Sequence, residues 1–208
     1  LDLFCGTGSV ARELVKQRYV VVSVDMDPRW GATHHVDILS WDFKKLYPRG
    51  HFDLIFASPP CEHYSIARTT AATERNLDMA DRLVQRALYI IQYFKSKSWF
   101  LENPRTGLLK DRPFMQKISY VDLDYCQFFD WGYQKPTRIW GGDHLKGLKN
   151  CICDPTTCPN VVRRPNGRLG HKEPLGGSYS TTKFEKYRVP GGLIRYLLGV
   201  PDMKAVLE

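Results

Sequence analysis

The chain has 208 residues, 43% of them hydrophobic and 25% charged, with a formal net charge of +8 at pH 7. This length suits one α/β domain with a modest appendage. No apolar run approaches the roughly 18 residues of a membrane-spanning helix, which predicts a soluble protein without a membrane partner. The basic charge favours a polyanionic partner such as nucleic acid. Because the sequence starts at Leu1 without a Met, it leaves an upstream targeting segment open.

Short apolar strands alternate with helical patterns over the first 140 residues. A strand at 1–4 runs into a glycine-containing turn, and Ser9 is the predicted N-cap of a helix that ends near residue 18. A long amphipathic helix is predicted at about 76–95. Further strands are predicted at 19–24, 35–39, 52–57, 99–101, 121–128 and 138–140. This alternation predicts an α/β fold with a doubly wound, mostly parallel sheet.

The amino-acid composition of the sequence changes after Gly141. Residues 141–188 are rich in Gly, Pro, Asn and Thr and hold nine Lys or Arg against four Asp or Glu. We therefore predict three regions: a catalytic domain at 1–140, an irregular basic insert at 141–188, and a C-terminal segment at 189–208. The last begins with a short helix at 189–198 that returns to the catalytic domain.

Glycines and acidic residues follow the first three predicted strands. Open α/β sheets bind ligands beyond the carboxyl ends of their strands. Gly6 and Gly8 would let the backbone turn tightly and approach a ligand. Asp25 ends the second strand, where it could accept hydrogen bonds from ribose hydroxyls. Asp37 follows the third, where it could hold an adenine amino group. This pattern favours a nucleotide-like cofactor.

A candidate reactive site follows the fourth and fifth predicted strands. Pro59 and Pro60 precede Cys61, and rigid prolines at a strand end can hold a thiol in a cleft. Glu102 ends the next strand, where it could donate a hydrogen bond to a substrate. Arg138 could hold a carbonyl oxygen or support the thiolate electrostatically. These three residues are the predicted catalytic set.

These motifs resemble those of the DNA cytosine-5 methyltransferases. The resemblance covers about 140 residues in the family's order: Leu1 to Ser9, Pro59-Pro60-Cys61, Glu102-Asn103, and Gln134 to Arg138. It implies a Rossmann-like class I fold that uses S-adenosylmethionine (SAM). It further implies that the Cys61 thiolate attacks carbon 6 of a cytosine flipped out of double-stranded DNA, which makes carbon 5 nucleophilic. Cofactor contacts are expected from Phe4, Gly6, Gly8, Asp25, Met26, Asp37, Ile38 and Pro59.

The sequence departs from the family's motifs at several positions. Asp25 stands where the family usually has Glu, Glu62 replaces a Gln, Pro104 replaces a Val, and Pro136 replaces an Arg. Ser65 resembles a serine of the loop that closes over the flipped base. The match of the final helix to the family's last motif is poor.

The region available for target recognition is short, about 45 residues. Either recognition is brief or a partner protein supplies it. The basic residues Arg163, Arg164, Arg168 and Lys172 are candidates for DNA backbone contacts. The same insert contains Cys151, Cys153, Cys158 and His171, and three thiols with an imidazole can fill a tetrahedral zinc site. Unligated loop thiols are the alternative.

Three other functions stay open from the sequence. The same chemistry could act on RNA, since one branch of the family methylates tRNA, although that branch's Cys-Phe-Thr signature is missing here. A catalytically silent DNA-binding relative would not need Cys61, Glu102 and Arg138 together. A dinucleotide-dependent oxidoreductase is disfavoured because the third Gly of its fingerprint is missing.

Six cysteines without a secreted disulfide pattern indicate a reducing compartment.

Overall fold

The computed structural model describes residues 1–66, 74–128, 133–172 and 187–200. The strands in these ranges are β1 (Asp2–Leu3), β2 (Ser23–Asp25), β3 (His34–His35), β4 (Leu54–Ala57), β5 (Ser98–Pro104), β6 (Ser119–Asp124), β7 (Pro136–Gly141), β8 (Val161–Arg163) and β9 (Leu169–His171). The helices are α1 (Ser9–Lys16), α2 (Phe43–Leu46), α3 (Leu77–Phe94) and α4 (Gly191–Leu197). Short 3₁₀ turns lie at Pro28–Trp30, Leu108–Asp111, Pro113–Met115, Tyr125–Gln127 and Asp143–Leu145. None of the described helices is both long and apolar enough to cross a membrane.

Seven strands form one sheet in the order β3-β2-β1-β4-β5-β7-β6. Strands β1 to β5 pair in parallel, and β7 runs antiparallel to both β5 and β6. The predicted doubly wound, mostly parallel fold is confirmed. The chain moves outward in opposite directions from the β1–β4 pair, which is the place where open α/β sheets bind ligands.

Each face of the sheet is covered by different helices. On one face, α3 packs against Ile55, Leu101 and Trp140. On the other face, α1 and α4 pack against Phe56, Phe100 and Ile139. Because side chains alternate across a strand, neighbouring residues of one strand enter opposite cores. This alternation determines which polar side chains reach the candidate site.

Helix α3 agrees closely with its prediction. Asn76 is the N-cap, and its side-chain oxygen accepts a hydrogen bond of 2.9 Å from the Met79 amide. The helix ends at Phe94 because Lys95 takes a left-handed conformation, with φ of 51°. Helix α1 differs, since Gly8 occupies the N-cap position and Ser9 is the first helical residue.

The strands differ more from the prediction than the helices do. Strands β2 and β3 are shorter than the predicted 19–24 and 35–39, and Val20 is 98% exposed. Strand β5 is longer than predicted and continues to Pro104, because β7 pairs with it as far as Thr137. The predicted irregular insert contains an antiparallel hairpin of β8 and β9.

The insert leaves the sheet at Gly141, the last residue of β7. A Cβ atom at this position would lie 2.8 Å from the Trp99 carbonyl oxygen and 2.9 Å from both His144 and Leu145. Such distances are too short for any side chain. The close approach of β5 therefore requires glycine at the exit from the sheet.

A buried ion pair connects α1 to α4. Glu13 is 4% exposed, and its Oε1 accepts a hydrogen bond of 2.8 Å from Arg195. Burial alone would raise the pKa of Glu13, but hydrogen bonds from Arg195 and Gln17 lower it overall. The charged form of Glu13 is therefore favoured by folding.

We expect Arg195→Ala to reduce the free energy of unfolding by roughly 1–3 kcal/mol, because it leaves a buried carboxylate without its main donor. Since folding lowers the pKa of Glu13, the pair stabilises the protein above the unfolded-state pKa, and this contribution is lost as the pH falls through the folded-state value. The difference between wild type and Arg195→Ala should therefore shrink on acidification. Urea unfolding at several pH values measures it, and a difference independent of pH would contradict the assignment.

Candidate active site

A cavity of about 290 Å³ lies at the carboxyl ends of β1, β2, β4 and β5. This volume is close to the lower end of the range of small-molecule pockets, ~300–1,000 Å³. Residues from several separate segments line it: Phe4, Gly6, Asp25, Asp27, Arg29, Trp30, Ser58, Pro59, Pro60, Cys61, Glu62, Glu102, Pro104, Lys135 and Tyr187. Four of the strand ends that the sequence predicted to contribute to one site therefore line the cavity, and the end of β3 does not.

The turn after β1 forms one wall of the cavity. Phe4, Gly6 and Gly8 have φ values of 58°, 46° and 69°, all in the left-handed region. A left-handed conformation is strained for a residue such as Phe4, and strain of this kind concentrates at functional sites. The Gly6 amide donates a hydrogen bond of 2.9 Å to Asp25, which joins this turn to the end of β2.

The cavity offers hydrogen-bonding groups suited to a nucleoside-like cofactor. The two carboxylate oxygens of Asp25 accept from the Gly6 and Asp27 amides, at 2.9 Å each. Each oxygen has a further lone pair for a hydroxyl donor. The Ser58 hydroxyl is buried and has no hydrogen-bond partner among the described residues. With Trp30 as an aromatic wall, these groups fit the SAM predicted from the sequence.

Cys61 is held at the cavity by the chain on both sides of it. Before it, the Pro59 carbonyl accepts a buried hydrogen bond of 2.9 Å from the Asn103 side chain. After it, the Tyr64 and Ser65 amides donate to the Cys61 carbonyl at 3.0 and 2.9 Å. Burial raises the pKa of the Cys61 thiol, the Lys135 ammonium partly opposes this, and Glu102 adds to it. The resting side chain is therefore a thiol.

Glu102 lies beside Cys61 and is 5% exposed. The Tyr125 hydroxyl donates to its Oε1 at 3.2 Å, and the Lys135 ammonium lies 3.6 Å from the same atom. Lys135 also lies over the Tyr125 ring, 4.7 Å from its centroid. Burial and the adjacent Glu102 raise the pKa of Tyr125 well above its usual value, so its hydroxyl stays a donor. One hydrogen bond and one ion pair thus hold Glu102 at the cavity wall.

The expectation that Arg138 reaches the reactive site is contradicted by this geometry. Strand β7 pairs Arg138 with Asn103 and Ile139 with Glu102, so Arg138 and Glu102 project from opposite faces of the sheet. The Arg138 guanidinium instead makes two hydrogen bonds to Asp122, at 2.7 and 2.8 Å. The cation beside Cys61 is Lys135, which the sequence analysis missed although it lies in the same motif.

Four of the eight expected cofactor residues line the cavity: Phe4, Gly6, Asp25 and Pro59. The other four do not. Gly8 caps α1, Met26 is 71% exposed, and Ile38 is 4% exposed within the core. Asp37 is exposed in the turn after β3, where its side chain accepts from the Leu39 amide at 2.9 Å.

Two further residues, Trp30 and Tyr187, line the cavity although no sequence pattern indicated it. Trp30 belongs to the 3₁₀ turn after β2. Tyr187 precedes α4, and burial together with Glu62 and Cys61 raises its pKa. Part of the loop after Ser65, at 67–73, lies outside the described residues, as do 173–186 of the insert. The expected loop closure therefore stays a prediction.

A second cluster lies at the base of the insert. The side chains of Cys126, Cys153, Cys158 and His171 bring their ligand atoms within 4.8 Å of one another. The prediction that Cys151 belongs to this set is wrong in this structure. The backbone of Cys151 bridges to Leu123 of β6, and its thiol lies 3.7 Å from the Lys149 carbonyl.

Together, the sheet order and the cavity at its switch point define a Rossmann-like class I methyltransferase. The model of the C-5 cytosine-specific DNA methylase family matches residues 1–119. The chain is also 35% identical over 216 residues to a probable DNA (cytosine-5)-methyltransferase of Frog virus 3 (isolate Goorha), covering 95% of this chain and 97% of the viral protein. The chain belongs to the C-5 cytosine-specific DNA methylase family, which confirms the resemblance. It is a methyltransferase that acts on cytosine, and SAM is the cofactor of this family.

The crystal structure of the S. pombe Dnmt2 methyltransferase is a structural neighbour. It is 13% identical, with a TM-score of 0.47, and the match covers 76% of this chain. The match spans 57% of the Dnmt2 chain.

We expect Asp25→Ala to weaken SAM binding by about 10–100-fold, because it removes a charged acceptor worth roughly 1.5–3 kcal/mol. Asp53→Ala is the matched control, since Asp53 is exposed just before β4, at the opposite edge of the sheet. Calorimetric titration with SAM measures both variants. An unchanged affinity in Asp25→Ala, or an equal loss in Asp53→Ala, would remove Asp25 from the cofactor site.

Proposed function

We propose that the protein transfers a methyl group from SAM to carbon 5 of cytosine in double-stranded DNA, through a transient bond between Cys61 and the base. The observation that carries this proposal is the convergence of Cys61, Glu102 and Lys135 on the cavity formed by the glycine turn. A silent DNA-binding relative would not need this convergence.

Each of the three residues has a role in the proposed reaction. The Cys61 thiolate adds to carbon 6, which breaks the aromaticity of the ring and makes carbon 5 nucleophilic. Glu102, which carries a proton in this step, donates a hydrogen bond to ring nitrogen 3, where negative charge develops. Lys135 has the role first expected of Arg138: it limits the rise in the pKa of Cys61 and offers a donor to the base carbonyl. The bound SAM supplies an electrophilic methyl group. The carbon 5 proton then passes to water and the Cys61 sulfur leaves as a thiolate, which restores the aromatic ring and leaves 5-methylcytosine and S-adenosylhomocysteine as products.

The reacting cytosine has to leave the stacked duplex, because its carbon 6 is out of reach of a buried thiol while paired. The β8–β9 hairpin offers basic residues for phosphate contacts. Arg163 and Arg168 are exposed near its tip. Such contacts position a protein on DNA without reading its sequence. With so short an insert, a partner protein is the proposed source of further sequence recognition.

We expect the wild type to form a covalent complex with duplex DNA that contains 5-fluorocytosine, because fluorine cannot leave carbon 5 as a proton does. Cys61→Ala should form no complex and transfer no methyl group. Glu102→Gln should retain SAM binding but lose most methyl transfer. Denaturing electrophoresis with labelled SAM measures the complex, and methyl transfer by Cys61→Ala would refute the mechanism.

The same assay on a tRNA and on matched duplex DNA separates the two substrates. Faster transfer to duplex DNA is the expected result. Transfer confined to tRNA would replace the proposed substrate and leave the roles of Cys61 and Glu102 in place.

Lys135→Ala should lower kcat by about 10²–10³-fold at neutral pH, as loss of a charge-stabilising donor does in other enzymes. Without the ammonium, the pKa of Cys61 rises further, so the acid limb of the pH–rate profile should move to higher pH. Part of the activity should then return in alkaline buffer. Arg138→Lys, which keeps a cation near Asp122, should leave the profile in place. If Arg138→Lys moves the acid limb and Lys135→Ala does not, Arg138 rather than Lys135 is the cation that supports the Cys61 thiolate.

A further inference from the structure

The base of the insert brings together three cysteines and one histidine from distant parts of the chain. Cys126 lies in the 3₁₀ turn after β6, Cys153 and Cys158 lie in the loop before β8, and His171 ends β9. Their ligand atoms all lie within 4.8 Å of one another. The three cysteines are 4–8% exposed and pack mainly against one another, with Val161 beside them. So small an apolar cluster gives little reason to bury three thiols.

The distances match one tetrahedral ion. Nε2 of His171 lies 3.4 Å from the Cys153 sulfur and 3.9 Å from the Cys158 sulfur. Zinc bonds of about 2.3 Å to sulfur and 2.0 Å to nitrogen at tetrahedral angles place such atoms about 3.5 Å apart. We propose that Cys126, Cys153, Cys158 and His171 bind one structural Zn²⁺ ion that fastens the insert to the catalytic sheet.

Neighbouring groups hold the ligand-bearing backbone in this arrangement. The buried Asn160 side chain donates to the Cys126 carbonyl at 3.1 Å. The buried Asp124 carboxylate accepts from the Cys153 amide at 2.8 Å. The Cys158 amide donates to the Asp154 carbonyl at 2.9 Å, which closes a tight loop between the two insert cysteines. Hydrogen bonds from neighbouring groups orient the ligands of metal sites in this way.

Binding requires the three thiols to lose their protons to the buffer as the sulfur–zinc bonds form. The site takes a borderline-soft divalent cation with thiolate and imidazole ligands, which suits Zn²⁺ and excludes Mg²⁺ and Ca²⁺. No redox step is involved.

The ion would connect the basic insert to the active site through very few residues. Cys126 follows Tyr125, whose hydroxyl donates to Glu102. Asp124 also accepts from Gln134, which precedes Lys135. Loss of zinc should therefore loosen both the hairpin and the support of the catalytic carboxylate.

Metal analysis of the whole protein, purified without chelators, tests the proposal. We expect about one zinc ion per chain in the wild type. Cys126→Ser should lose its zinc on dialysis against a weak chelator. Cys151→Ser is the matched control and should keep it, because the Cys151 thiol points elsewhere. His171→Cys should keep zinc through a fourth thiolate, which separates ligation from a merely structural role of His171.

The wild-type protein also gives a reading that does not depend on any variant folding. Cobalt replacing the zinc should show the intense visible bands of a tetrahedral site with thiolate-to-cobalt charge transfer. A wild type without bound zinc, a disulfide between two of the three thiols, or zinc kept by Cys126→Ser and lost by Cys151→Ser would overturn the proposal. None of these measurements depends on methyl transfer, so they stand apart from the proposed function.

Discussion

A carboxylate that is 5% exposed must be compensated by its neighbours, and the groups that compensate Glu102 hold the rest of the site in place. Tyr125 and Lys135 both approach the same oxygen of Glu102. They come from opposite ends of the connection between β6 and β7. The antiparallel β6–β7 pair is therefore what brings a donor and a cation to the carboxyl edge of a parallel sheet. The proposed chemistry at Cys61 depends on this arrangement, because Lys135 is the group that favours the thiolate.

Local signals predicted the elements whose bounds are set within the chain. Helix α3 lies within one residue of its predicted bounds at both ends, because its apolar stripe and its Asn76 cap are both encoded locally. Strands β2 and β3 were overextended, since β-rich composition does not show where pairing stops. Strand β5 was underestimated for the converse reason: its last residues are held by β7, more than 30 residues later. Pairing partners, rather than propensity, decided these bounds.

The candidate site also contains residues that the local sequence predicts and residues that only contacts between distant segments select. Cys61 and Glu102 were predicted correctly to line one cavity, because β4 and β5 are parallel neighbours and both residues lie near the carboxyl ends of these strands. Arg138 was chosen over Lys135 because the motif gives order along the chain but not the face of β7 on which each side chain lies. Cys151 was chosen over Cys126 because spacing along the insert cannot reveal that residue 126 lies beside it. In both cases a contact between distant segments selected a residue that the linear pattern did not single out.

The glycine at the end of β7 also limits how this enzyme can diversify. No side chain fits at position 141, because β5 and the following turn approach the backbone too closely there. Extra residues inserted before it would shift the pairing of Lys135 and the strand that follows. Beyond it, Leu145 still packs into the core and Cys151 still bridges to β6, whereas the exposed tip of the β8–β9 hairpin lies outside both contacts. A larger specificity module should therefore be tolerated at the exposed tip of the β8–β9 hairpin and should disrupt the site when it is inserted within β7.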